Sequence, residues 1–260
     1  MTVVTRDLVE AIESTLFILP PVPGLLQDLG IPGLRGRITK LSHPVANLCG
    51  DARFSESEAE ALVERVRQRY GGLAFGWITG PSTRPADLPD RLVKAGLGHA
   101  DSMAGLALTD LAAPMAVNPE ALVREVTWQD AIANSEWMAR AYGLPTEVMR
   151  VLNEVFAAMS RRIKARAYVA YLGDDKPAAW SYLVYVPDSP TVVLGGAATL
   201  EEHRGQGLYT ALVARRLADA RADGRTAAII QGDRKTSAPI CAKLGFEELC
   251  GLEFFASSGE

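Results

Sequence analysis

The run His203-Arg204-Gly205-Gln206-Gly207-Leu208-Tyr209 has the residue types and spacing of an anion-binding loop. It stands between an apolar β-like segment ending near Thr199 and a long amphipathic pattern that begins at Leu208. A helix start presents unpaired backbone amides and about half a positive charge, which suits a phosphate group. Gly205 and Gly207 carry no Cβ to hold an anion away, and both can take positive φ and curl the amides into a nest. Arg204 adds a forked donor that matches phosphate oxygens. A plain tight turn uses the same glycines, so it is the placement before a helix that carries the reading. A magnesium-nucleotide loop would continue as Gly-Lys-Ser/Thr, whereas Leu208-Tyr209 follows Gly207. A dinucleotide loop belongs to a parallel βαβ unit near the start of its domain, and this loop instead follows an antiparallel meander.

Other reactive types are scattered. Cys49, Cys241 and Cys250 are odd in number and lack CxxC spacing, so neither a disulfide framework nor a structural zinc site is expected. His43, His99 and His203 have no spacing that puts two ligands on one face, and no metal is expected.

The elements that must position the loop can be read from periodicity and breakers. In the first half, Ser55 and Glu58 form a capping-box pattern ahead of a helix whose apolar face is Ala59, Leu62, Val63, Val66 and Tyr70, ended by Gly71-Gly72. A strand at 73–79, breakers from Gly80 to Pro85, a short helix at 86–94 and a strand at 103–108 follow. After the loop at 113–119 the order recurs. Amphipathic helices are expected at 128–141 and 146–159, and strands at 167–172, 178–186 and 191–199, with turns at Asp174-Asp175 and Pro187–Pro190. Next come the helix from Leu208 with core face Leu212, Val213, Leu217 and Ala220, a strand at 226–231, a helix at 237–244 and a last strand at Glu253–Ala256. Both halves run helix, glycine, strand, loop and short helix. Both close on a Lys-x-Gly-apolar ending, Lys94-Ala95-Gly96-Leu97 and Lys243-Leu244-Gly245-Phe246. Chance can produce such an order in an α/β chain, but the shared ending points to an internal duplication with a boundary near 115.

Composition bounds the function. The 260 residues are 48% hydrophobic and 22% charged, which is enough to bury the cores of two ordinary domains. With 27 basic and 31 acidic side chains the net charge is −4, which argues against a chain that coats nucleic acid or an anionic membrane. No stretch approaches the roughly 20 apolar residues of a membrane span, and the N-terminal run carries acids rather than a secretory core. A cytoplasmic location is expected, with no nucleic-acid or membrane partner and room for a homodimer.

Arg204-Gly205-Gln206-Gly207-Leu208-Tyr209 resembles the R/Q-x-x-G-x-G/A signature of the GNAT superfamily of acyl-CoA-dependent N-acetyltransferases, with Tyr209 where the family has a small residue. Ser237-Ala238-Pro239-Ile240 through Lys243-Leu244-Gly245-Phe246 is similar to that family's fourth helix and its LGF turn. The resemblance covers about residues 120–257, and residues 1–112 look like a degraded second copy. It implies an α/β (α+β) fold with a mixed, mostly antiparallel sheet flanked by helices. It also implies a tandem arrangement of a degenerate half at 1–114 without a cofactor loop and an acetyltransferase domain at 115–260.

The resemblance implies acetyl-CoA as cosubstrate, its pyrophosphate on Arg204, Gly205, Gln206, Gly207, Leu208 and Tyr209. The oxyanion would be met by a backbone amide of Ala198, Thr199 or Leu200. Cys241 occupies the family's position for a general-acid tyrosine and is one candidate acid, with Tyr209 the next. Glu201, Glu202 and His203 are the candidate bases. Trp137, Tyr142, Trp180 and Tyr182 are candidates for an acceptor pocket, since alternation puts Trp180 and Tyr182 on one face. The expected function is acetyl transfer to a primary amine of a small molecule or peptide. A catalytically weak acetyl-CoA sensor or regulatory pseudoenzyme is the alternative. Aminoacyl transfer from charged tRNA is disfavoured by the net charge of −4.

Overall fold

Ser55 starts the helix that its capping-box pattern predicts. Its N–H donates to Glu58 Oε2 at 3.0 Å, a single 3₁₀ turn spans Glu56–Glu58, and α2 (Ala59–Tyr70) ends at Gly71 with φ +58°. The computed structural model describes residues 3–173 and 176–259, so the turn expected at Asp174-Asp175 lies outside the described residues. Two units form, neither continuous in sequence. Unit 1 is Met1–Gly105, Gln231–Ala238 and Glu248–Glu260, and unit 2 is Leu106–Ile230 and Pro239–Glu247.

Unit 1 contains α1 (Val3–Ser14), β1 (Gln27–Asp28), β2 (Arg35–Ile38), β3 (Leu48–Gly50), α2, β4 (Gly76–Thr79), α3 (Leu88–Lys94) and most of β5 (Gly98–Leu108). Its strand order is β1-β2-β3-β4-β12-β5, where β12 is Glu247–Ala256. The last strand expected to complete the second half therefore pairs antiparallel with β4 in unit 1, Glu253 opposite Thr79 and Ala256 opposite Gly76. Alternation explains the fit. Phe255 buries into the core of α2 and α3, with Val66, Tyr70, Trp77 and Leu92.

Unit 2 contains β6 (Ala121–Val126), α4 (Trp128–Ala133), α5 (Ser135–Tyr142), α6 (Thr146–Met159), β7 (Ala165–Leu172), β8 (Pro177–Tyr185), β9 (Thr191–Val193), β10 (Ala197–Thr199), α7 (Leu208–Ala222), and most of β11 (Ala227–Asp233) and α8 (Ser237–Lys243). The order β11-β9-β8-β7-β6 is antiparallel apart from the parallel β11–β9 pair, which gives the mixed, mostly antiparallel sheet that the sequence led us to expect. Side chains alternate across the sheet. Val169, Trp180 and Tyr182 meet Met138 and Met149 of α5 and α6, whereas Tyr168 donates to Asp219 of α7 at 2.8 Å.

One expected strand is two. The segment 191–199 breaks after Leu194, whose N–H makes the last bond to β11, at Ile229 O. Gly196 takes φ +34°, and the Tyr182 N–H is shared between Gly195 O at 2.9 Å and Gly196 O at 3.1 Å. A Cβ on Gly196 would lie 3.2 Å from the Trp180 ring and 3.3 Å from that of Tyr182. Beyond this break β10 pairs only with β8. The chain bends away from β11 and opens an edge.

Candidate cofactor and transfer site

The loop before α7 has the geometry its glycines permit. Gly205 and Gly207 sit at φ +75° and +78°, and Gly207 is the N-cap of α7 with no side-chain cap. The first helical bond runs from Ala211 N to Gly207 O, which leaves the amides of Leu208, Tyr209 and Thr210 without helical acceptors. A Cβ on Gly205 would meet nothing within 4 Å, so its requirement is conformational. At Gly207 a Cβ would lie 3.2 Å from Asn118 Cβ. Asn118 also donates through Nδ2 to Gln206 O at 2.9 Å and so braces the loop. Sequence reasoning missed it, because it sits in a breaker-rich stretch with no motif to mark it.

The candidate amides on β10 separate by direction. Leu200 N donates to Ala178 O at 2.9 Å, which commits that amide to β8. Hydrogen-bonded pairs alternate along an antiparallel ladder, so Ala198, opposite Trp180, also faces β8. Thr199 points the other way, and its carbonyl accepts from Arg204 Nε at 3.3 Å. Its N–H shares that open edge.

Tyr209 and Cys241 come together, the Tyr209 hydroxyl lying 3.3 Å from Cys241 Sγ. Cys241 is fully buried on α8, and burial pushes its thiol pKa up. Burial likewise raises the Tyr209 phenol. Glu201 and Glu202 are exposed and His203 is half-buried. Glu202 pairs with Arg140 of α5 at 3.2 Å, and Gln206 Nε2 reaches Glu202 O at 3.3 Å.

The four aromatic candidates divide. Trp180 and Tyr182 are buried, Trp180 Nε1 donating to Met138 O at 3.1 Å and the Tyr182 hydroxyl to Asn153 Oδ1. Tyr142 is half-exposed, its ring 5.7 Å from that of Trp180. A cavity of about 330 Å³ opens beside them, lined by Trp137, Tyr182, Tyr171, Asp130 and Asn134 among others. Trp137 and Tyr182 therefore share a cavity, and Trp180 and Tyr142 do not line it. Among the described residues its one charged lining side chain is Asp130, whose Oδ2 accepts from the Thr127 N–H and hydroxyl; these bonds hold its carboxyl below the usual range.

The corresponding stretch of unit 1 is built otherwise. Asp51 takes φ +51°, and its carboxylate lies 2.8 Å from Arg53 and 3.9 Å from Arg35. A Cβ on Gly50 would press on Ile78 O at 2.5 Å, so this glycine serves strand packing.

Residues 130–246 match the model of the acetyltransferase (GNAT) family. Among solved structures, the chain is similar to a GCN5-related N-acetyltransferase from Kribbella flavida, at 18% identity and a TM-score of 0.67, covering 100% of this chain and 97% of that one. A tandem GNAT protein from the clavulanic acid biosynthesis pathway, solved without acetyl-CoA, aligns at 16% identity and TM-score 0.61 over 87% of this chain and 79% of its own. A GNAT-family acetyltransferase from Novosphingobium aromaticivorans aligns at 15% and 0.55 over 90% and 91%. No curated protein sequence matches. Residues 130–246 thus match the GNAT acetyltransferase family model, and the chain has the fold of solved GNAT proteins, a tandem one included.

Proposed function

We propose that the chain transfers an acetyl group from acetyl-CoA to a primary amine, using unit 2. The observation that carries this reading is the uncapped start of α7 behind two left-handed glycines, next to the open edge of β10. Pyrophosphate would rest on the amides of Leu208–Thr210 with Arg204 alongside, while pantetheine pairs with the free edge of β10. The amine attacks the thioester carbonyl, and the Thr199 N–H meets the oxyanion. The C–S bond then breaks, and the leaving thiolate takes a proton from the Tyr209–Cys241 pair. Glu201, Glu202 or His203 would accept the proton of the incoming ammonium. The cavity with Trp137, Tyr171 and Tyr182 around Asp130 suits an ammonium, since ring faces and a carboxylate both attract cations. Its volume favours a compact amine. No described helix is long and apolar enough to cross a membrane, in keeping with a cytoplasmic enzyme.

Release of free CoA thiol with a panel of small amines and peptides tests the proposal. Turnover supports it, and binding of acetyl-CoA without turnover on any amine would replace it with the sensor reading. The burial of Cys241 gives that second reading its one specific support.

A further inference from the structure

Helix α7 buries a charge that no carboxylate among the described residues pairs with. Arg216 is 0% exposed; its Nε donates to Leu212 O at 3.1 Å and its Nη1 to Tyr182 O at 3.0 Å. Nη2 is buried with no hydrogen-bond partner among the described residues. The ionisable groups that act on this guanidinium are Tyr209, Cys241 and Tyr168, none of them a carboxylate. Burying a charge without a counter-ion is costly, and replacing such a group by an apolar one often leaves a fold equally stable or more so. Packing alone gives little reason for an arginine here.

Its two neighbourhoods supply one. Tyr182 is the residue whose N–H is shared at the Gly195–Gly196 break, and its carbonyl turns to Arg216. Tyr209 precedes Arg216 by seven residues, two turns along the same helix face, and contacts Cys241 at 3.3 Å.

We propose that Arg216 is a positioning residue for proton delivery, its buried guanidinium sustaining the negative charge left on the Tyr209–Cys241 pair when that pair protonates the departing CoA thiolate. The inference rests on the transfer reaction proposed above. In the step itself the C–S bond of the tetrahedral intermediate breaks, its electron pair stays on sulfur, and that sulfur takes the proton of the Tyr209 hydroxyl. The Cys241 thiol then returns a proton to the phenolate, leaving one negative charge on Cys241, on which Arg216 acts electrostatically. Solvent restores the proton after release. Burial works against this charge at both groups, and Arg216 is an influence that pulls each back down, helped at Cys241 by the Tyr209 hydrogen bond. The other groups facing the set are Tyr142 of α5, which acts on Tyr209, and Tyr168 of β7, whose hydroxyl is engaged by Asp219. Neither offers a second cation.

Arg216→Met removes the charge and keeps the bulk, and Arg216→Lys keeps the charge without the fork. At pH 7 we expect kcat to fall about tenfold or more in Arg216→Met, within the range of general acid catalysis. The alkaline limb of its kcat profile should move to higher pH, because the donor becomes a weaker acid. Arg216→Lys should restore that limb even where KM for acetyl-CoA stays raised. A purely structural role predicts raised KM in both variants with an unmoved limb, which would overturn the proposal. Titration of ¹³Cβ-labelled cysteine by NMR, with Cys241 assigned from Cys241→Ser, gives a readout free of turnover. A higher Cys241 midpoint in Arg216→Met than in the unmodified chain supports the proposal, and coincident midpoints sink it. If no amine is acetylated but that midpoint shift is present, the transfer reaction has failed while the charge coupling stands.

Discussion

Gly207 is the residue at which one substitution separates binding from folding. It is half-buried at the mouth of α7 with φ +78°, and Asn118 is the only described contact a Cβ would find within 3.5 Å. Gly207→Asp adds a negative charge where phosphate would sit, and we expect acetyl-CoA binding to be lost by calorimetry while the circular dichroism spectrum is retained. The pair behind it permits a ranking. Cys241→Ala should leave measurable turnover, whereas Tyr209→Phe should cost roughly 10²–10⁴-fold in kcat, the usual worth of a general acid. A loss of that size in Cys241→Ala, with acetyl-CoA affinity intact, would place the donor on sulfur instead. At this scale Arg204, Gly205 and Gly207 were legible because glycine's conformational freedom is a local property. Asn118 was not, because its role depends on a chain segment 88 residues away.

Helix α7 is held at its far end as deliberately as at its start. Asp223 closes it, accepting from Lys164 at 2.9 Å, from Arg166 at 2.8 Å and from the Tyr185 hydroxyl. The Lys164 and Tyr185 hydrogen bonds hold its carboxyl below the ordinary range. A carboxyl depressed by folding stabilises above its unfolded pKa, about 3.9, and the contribution disappears as pH falls through the folded value. Asp223→Asn should therefore lower Tm at pH 7, and the gap to the unmodified chain should narrow below about pH 4. A gap unchanged at acid pH would show that the ionised carboxylate is not what matters. Periodicity gave this helix and most others to within a few residues, but the single helix expected at 128–141 is two, α4 and α5, parted at Asn134, whose Nδ2 turns back to Asp130 O. It did not give the break between β9 and β10, since apolar alternation runs through Val192, Leu194 and Ala198 while the hydrogen bonds change partner underneath it.

For the whole molecule the prediction is one acetyl-CoA per chain, bound by unit 2. In unit 1, Asp51 and the box of Ser55 and Glu58 occupy the place of a phosphate cradle, so titration of the intact chain should give a stoichiometry near one. Two equivalent sites would refute this. A chain ending at Glu247 loses β12, and with it Leu252 and Phe255, each worth roughly 1.5–3 kcal/mol of burial. Hydrogen exchange should then lose protection over β3 and β4 while β7 and β8 keep theirs, and a uniform loss would contradict the division into units. The sequence by itself determined most of the helices, the glycine-rich turn before α7 and the acidic balance, because capping, glycine conformation and amphipathic period act over a few residues. Only the tertiary structure decided that β12 closes unit 1, that Thr199 rather than Leu200 turns its amide to the open edge, and that Tyr209 and Cys241 meet. Strand pairing and the meeting of distant side chains are set by which surfaces bury one another. No local pattern in the chain encodes that.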